Sequence, residues 1–198
     1  MARQAFDRFA GTAAIGVAVG GIAYSAAFVV AVKAPSETAL TVSWVLLFLG
    51  GLLGTAVVVA VYRRVRDVDP GFALWGILLG AVGTIGSAAH AGFEVAIAVQ
   101  PVARNALLPN PLDPRGIMTF GLTGLGVMVL SWLIRRERTL PANLGTLGVV
   151  LGLLMILVYL GRLLIIDPTN PALLGIAGIT GLIAHPWWFF WLGRSLLR

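Results

Sequence analysis

Six stretches of this chain stay apolar for longer than a soluble core element needs: Phe9–Val32, Leu40–Tyr62, Phe72–Val99, Ile117–Ile134, Leu144–Ile166 and Ala172–Leu192. At about 1.5 Å of rise per residue, each run wound as a helix reaches across the ~30 Å hydrocarbon layer of a bilayer. Lipid offers no hydrogen bonds, so backbone groups in such a run must pair within it, and the α-helix does this. The connectors read as breaks. "KAPSET", "RRVRDVDPG", "QPVARNALLPNPLDPRG", "RRERTLPAN" and "DPTNP" each contain proline, and most add Asn, Asp or Gly. The prediction is a single all-α domain over residues 1–198, a polytopic bundle of six transmembrane helices.

Composition points the same way. Only 11% of residues are charged and 59% are hydrophobic, whereas a soluble domain carries about 25% charged residues. So few charges cannot cover a core with a hydrated surface, which leaves lipid to do the covering. The first run, at about 24 residues, exceeds the 7–15 of a signal-peptide apolar core and reads as a retained span. With no cysteine, disulfides, thiolate metal sites, iron–sulfur clusters and cysteine nucleophiles are excluded.

The net charge of +6 and pI near 11.1 raise nucleic acid as a partner, but the arginines sit at the ends of apolar runs and form no soluble basic face. Ten of them fall on one side: Arg3, Arg8, Arg63, Arg64, Arg66, Arg135, Arg136, Arg138, Arg194 and Arg198. The other side has Lys33, Arg104 and Arg115. Positive residues stay cytoplasmic, so both termini are expected in the cytoplasm and the chain in the cell membrane. Phe72 and Trp75, and "WWFFW" at 187–191, sit where an inner aromatic belt belongs. "VYRRVRD" and "LIRRERT" end the second and fourth spans alike; membrane insertion alone accounts for that likeness, and so does an internal repeat.

Many of the 25 glycines lie inside spans. A mid-helix glycine costs about 1 kcal/mol in water, but in lipid small residues let helices approach closely. Advancing 100° per residue, Gly76, Gly80, Gly83, Ser87, His90 and Glu94 fall within about 40° of one line. His90 and Glu94 should therefore face neighbouring helices. Leu174, Gly178, Gly181 and His185 share a face of the sixth span, and Gly148, Leu151, Met155, Val158 and Arg162 one of the fifth.

Ionisable groups within a span are costly unless paired or wet, and mark candidate sites. The expected site is an outer-half cluster of His90, Glu94, Tyr159 and Arg162, with Glu94 paired to Arg162 across the third and fifth helices. Snorkelling of the same groups toward the headgroups is the plainer account. The long connector from Gln100 to Arg115 lies on that side, either as a cover or as an ordinary Pro-rich loop. His185, before Pro186 and about two turns from the inner end, reads as an inner-side hydrogen-bonding group. His90 and His185 differ in depth by roughly 15 Å, which argues against a shared haem or metal, and no metal or cofactor is expected. His90 with Glu94 supplies at most two ligands, fewer than a zinc site needs. The chain contains no GxxxxGK, HExxH or GxSxG pattern, and no lysine in mid-membrane. "GLTGLG" (121–126) lies within a span and follows no strand, so it reads as helix packing.

"HAGFEVAIAV" on the third span, with the closing "PWWFFWLGRSLLR", resembles bacterial six-helix integral membrane proteins of an uncharacterised domain family. Those proteins often carry His, Gly and an acidic residue at similar spacing, and end in an aromatic run before Leu-Gly-Arg. Glu94 stands where that pattern has Asp. The resemblance implies a six-helix fold and no mechanism.

The favoured reading is a non-enzymatic membrane protein: a membrane subunit, or a binder of membrane lipid or a lipophilic small molecule. Its partners would be that molecule, a partner membrane subunit or a second copy, and no nucleic acid. The alternative is a small proton- or cation-coupled transporter, or a substrate-binding membrane component, using Glu94; against it, no inverted repeat is visible.

Overall fold

The computed structural model describes residues 2–34, 36–99, 117–165 and 169–198; the Gln100 to Arg115 connector lies outside them. Among the described residues there are six helices and no strand: α1 (Ala2–Lys33), α2 (Glu37–Val65), α3 (Pro70–Val99), α4 (Ile117–Ile134), α5 (Ala142–Leu164) and α6 (Pro171–Leu197). All six are long and apolar enough to cross a membrane. The protein is an all-α, multi-pass membrane protein.

Several helices run past the apolar stretches because polar residues at their ends take up the first free N–H groups. The Ser36 hydroxyl accepts from the Ala39 N–H at 3.2 Å at the start of α2. The Asp69 carboxylate accepts from the Phe72 N–H at 3.1 Å, ahead of Pro70. The Asn170 side chain accepts from the Ala172 N–H at 3.0 Å with Pro171 in the first turn of α6, a position where a missing N–H costs nothing. Between α4 and α5, the Glu137 carboxylate accepts from Thr139 and Leu140 N–H groups at 2.8 and 2.9 Å.

Each helix packs on its chain neighbours, and α6 closes the ring against α1 and α5. Glycines set the closeness of the seams. A Cβ on Gly124 would stand 2.9 Å from the Gly152 carbonyl oxygen, and one on Gly152 2.5 Å from that of Gly124. A Cβ on Gly193 would meet the Gly11 carbonyl at 2.7 Å, which draws α6 onto α1. Along α3, Gly76, Gly80, Gly83, Ser87 and His90 are all buried.

Both termini lie at one end, here called proximal. Asp7 is 8% exposed there; its carboxylate accepts from Arg64 Nη2 at 2.8 Å and lies 3.6 Å from Arg63 Nη1. Arg64 Nη1 also donates to Thr139 Oγ1 at 3.3 Å. One arginine thereby joins α1, α2 and the α4–α5 turn. Arg136 lies 3.8 Å over the Trp132 ring, a cation–π contact. Above this face the proximal half is solid: Val57, Val61, Leu133, Leu144, Leu151 and Leu192 are at most 1% exposed.

Removing the shared carboxylate (Asp7→Ala) should lower stability by about 1 kcal/mol. Thermal melting in detergent checks it, and the deficit should shrink as added salt screens the wild-type pair.

Candidate functional site

The distal half is built differently. It encloses a half-open cavity of about 210 Å³, bordered by all six helices. Its walls are mainly apolar, with Val17, Phe28, Leu47, Val158, Leu173 and Phe189 among them. From Val17 to Val29 of α1 it follows roughly 18 Å of helix.

Glycine has two roles in this region. Gly51 is a packing residue: its Cβ would stand 2.7 Å from both the Ala88 nitrogen and the Thr84 carbonyl oxygen of α3. Gly20, Gly50 and Gly178 also line the cavity, yet a Cβ on any of them meets nothing within 4 Å. No close helix contact accounts for these three. Their missing side chains keep the space open.

Two of the six helices contain a π turn beside the cavity: Ile117–Leu122 in α4 and Ile179–Ala184 in α6. Such turns recur at functional sites because the widened ring redirects side chains and backbone. In α6 the His185 N–H bonds the Thr180 carbonyl, and the next residue, Pro186, has no N–H. The Gly181 carbonyl therefore has neither the α-type nor the π-type N–H partner of a regular turn. Gly181 lines the cavity.

Most hydroxyls in the wall are already satisfied. Thr84 donates to the Gly80 carbonyl, Ser87 to Gly83, Thr123 to Met118 and Thr180 to Ile176, at 2.7–3.1 Å. Thr119 Oγ1 lies 3.5 Å from His90 Nδ1. Four other polar groups border the space: Tyr24 and Ser25 of α1, Arg162 of α5 and His185 of α6. None makes a hydrogen bond or ion pair with a described residue. Tyr24 stacks on Phe28, centroids 6.1 Å apart, and the His185 ring lies tilted against Phe189 at 4.5 Å. The His185 ring occupies the notch over Gly21, where a Cβ would stand 2.8 Å from Nδ1 and Cε1. Ser25 faces Gly181 across the same seam.

The residues singled out in the sequence therefore part company. Arg162 borders the cavity, and so does His185. His90 is buried beside Trp44, ring centroids 5.2 Å apart, and reaches the α4 π turn at Thr119. Tyr159 reaches the same turn from α5, with its ring 3.4 Å from where a Gly121 Cβ would be. Glu94 is half-buried one turn beyond His90. Among the described residues no ion pair joins Glu94 to Arg162; α4 stands between their helices in the ring, and only Arg162 borders the cavity. Among the described residues no group of three or more His, Cys, Asp or Glu side chains is placed to hold a metal ion. Sequence reasoning passed over Tyr24 and Ser25. Their signal was the step Gly20, Gly21, Tyr24, Ser25, a polar continuation of a small-residue stripe.

Comparison with family models, curated proteins and solved structures found no match for this chain.

Adjacent glycines separate packing from space-keeping. Gly51→Ala should cost roughly 1–3 kcal/mol by overpacking α2 on α3. Gly50→Ala should be neutral or stabilising by up to about 1 kcal/mol, since a better helix former enters open space. Melting of the two purified variants checks the contrast.

Proposed function

We propose that the protein is a non-enzymatic binder of a lipophilic molecule with an anionic head, which it holds in the distal half of the bundle. The observation that carries this reading is a mainly apolar cavity, kept open by glycine, bordered by an arginine without a hydrogen-bond or ion-pair partner among the described residues. Arg162 stands in the last turn of α5, near the depth at which an amphiphile presents its head. A planar guanidinium takes carboxylate or phosphate with two parallel hydrogen bonds, and Tyr24 adds a hydroxyl donor. The chain of the ligand would lie against Phe28, Leu47 and Val158. Arginine density at the proximal end supports cytoplasmic termini in the cell membrane, which turns the cavity toward the outer leaflet.

Transport fits less well. A through-path would have to cross the packed layer of Val57, Val61, Leu151 and Leu192, whereas a binding protein needs an opening at one end only.

Native mass spectrometry of protein extracted in mild detergent should detect a bound anionic amphiphile. Arg162→Gln should lower its occupancy about tenfold, the equivalent of one charge-assisted contact. Gly178→Leu should displace the molecule by filling the cavity while leaving the melting midpoint nearly unchanged. Full occupancy in both variants would overturn the reading.

A further inference from the structure

The α1–α6 seam carries more polar chemistry than an anion site and an apolar slot require. Gly161 of α5 lies against Leu173 of α6, where a Cβ would stand 3.1 Å from a Leu173 methyl. The Arg162 backbone therefore starts level with the outer turn of α6. Ser25 meets α6 at Gly181 and His185 meets α1 at Gly21. These points are eight and twelve residues further along α6, about 12 and 18 Å deeper by helix rise; the long arginine side chain shortens the gap. At that depth the wall presents the Ser25 hydroxyl, the His185 imidazole and the Gly181 carbonyl, none with a hydrogen-bond partner evident in the helix pair. Polar groups left this way inside an apolar slot each cost free energy. A ligand with an oxygen function at the same level removes that cost.

We propose that Ser25 and His185 form a second, deeper polar subsite, and that the ligand is a single-chain amphiphile bearing both an anionic head and a neutral hydroxyl or ester oxygen below it. The inference rests on the anion-binding role of Arg162 and names the class of molecule that role serves. Its single chain follows from shape: about 210 Å³ spread along roughly 18 Å is a narrow slot. The head meets Arg162. The neutral oxygen accepts from Ser25 or His185, and a ligand hydroxyl can in turn donate to the Gly181 carbonyl.

Two probes with the same phosphate head and chain length separate the subsites. 1-Oleoyl lysophosphatidate carries the ester and hydroxyl, and oleyl phosphate lacks both. Their affinities are measured by titration of the full chain in detergent micelles. The wild type should prefer lysophosphatidate by about tenfold. Ser25→Ala, which removes a hydroxyl and adds no bulk, should erase most of that preference and leave oleyl phosphate binding unchanged. His185→Leu should do the same, with its melting midpoint recorded beside it. Arg162→Gln should weaken both probes alike. Equal wild-type affinities, or a Ser25→Ala loss shared equally by the two probes, overturn the second subsite while the anion site stands. Binding of neither probe to the wild type overturns the anion site and this inference together.

Discussion

Backbone touching backbone through glycine is the contact on which the rest of this bundle depends. Lipid tails are as apolar as leucine, so burying leucine between two helices gains little that lipid does not already provide. What remains is van der Waals attraction, which falls away within an ångström of optimal distance. The reciprocal approach of Gly124 and Gly152, and of Gly11 and Gly193, brings whole helices to that distance. A ring of six helices in chain order then follows, each helix packed on the one before it and the last on the first.

A ring has a middle, and the two halves of this one fill it differently. Proximally, valine and leucine interdigitate and the Asp7–Arg64–Thr139 contacts close the end. Distally, glycines at 20, 50 and 178 place no side chain in the middle, and the two π turns widen the wall where it borders the gap. The cavity is thus a consequence of residue size at a few inward positions.

Most polar groups that border the cavity fall into two kinds by the same geometry. Thr84, Ser87, Thr123 and Thr180 turn their hydroxyls back to carbonyls of their own helices, which lets a polar residue sit in lipid-like surroundings at little cost. Tyr24, Ser25, Arg162 and His185 do not. They come from three different helices and border one space, so a single ligand can engage several of them. The depth of Arg162 near a helix end also moderates the cost of carrying its charge in the empty state, since a long side chain can reach headgroups and water.

Much of the architecture was legible in the chain itself. Apolar length gives the number of helices, proline and asparagine mark their ends, and glycine spacing on α3 marks the face that becomes buried, because each of these is a local property of a helix in lipid. Arg162 and His185 were legible as candidates for the same reason: any ionisable group in an apolar run is conspicuous. Their surroundings were not. Tyr24 and Ser25 are unremarkable until α6 is laid against α1, and nothing in either helix alone says that Arg162 borders the cavity and Glu94 does not. The amino-acid sequence by itself determined a six-helix membrane protein with polar groups inside. Only the tertiary structure decided which of those groups share a cavity, because that depends on helix neighbours and rotations set by van der Waals contacts between residues far apart in the chain.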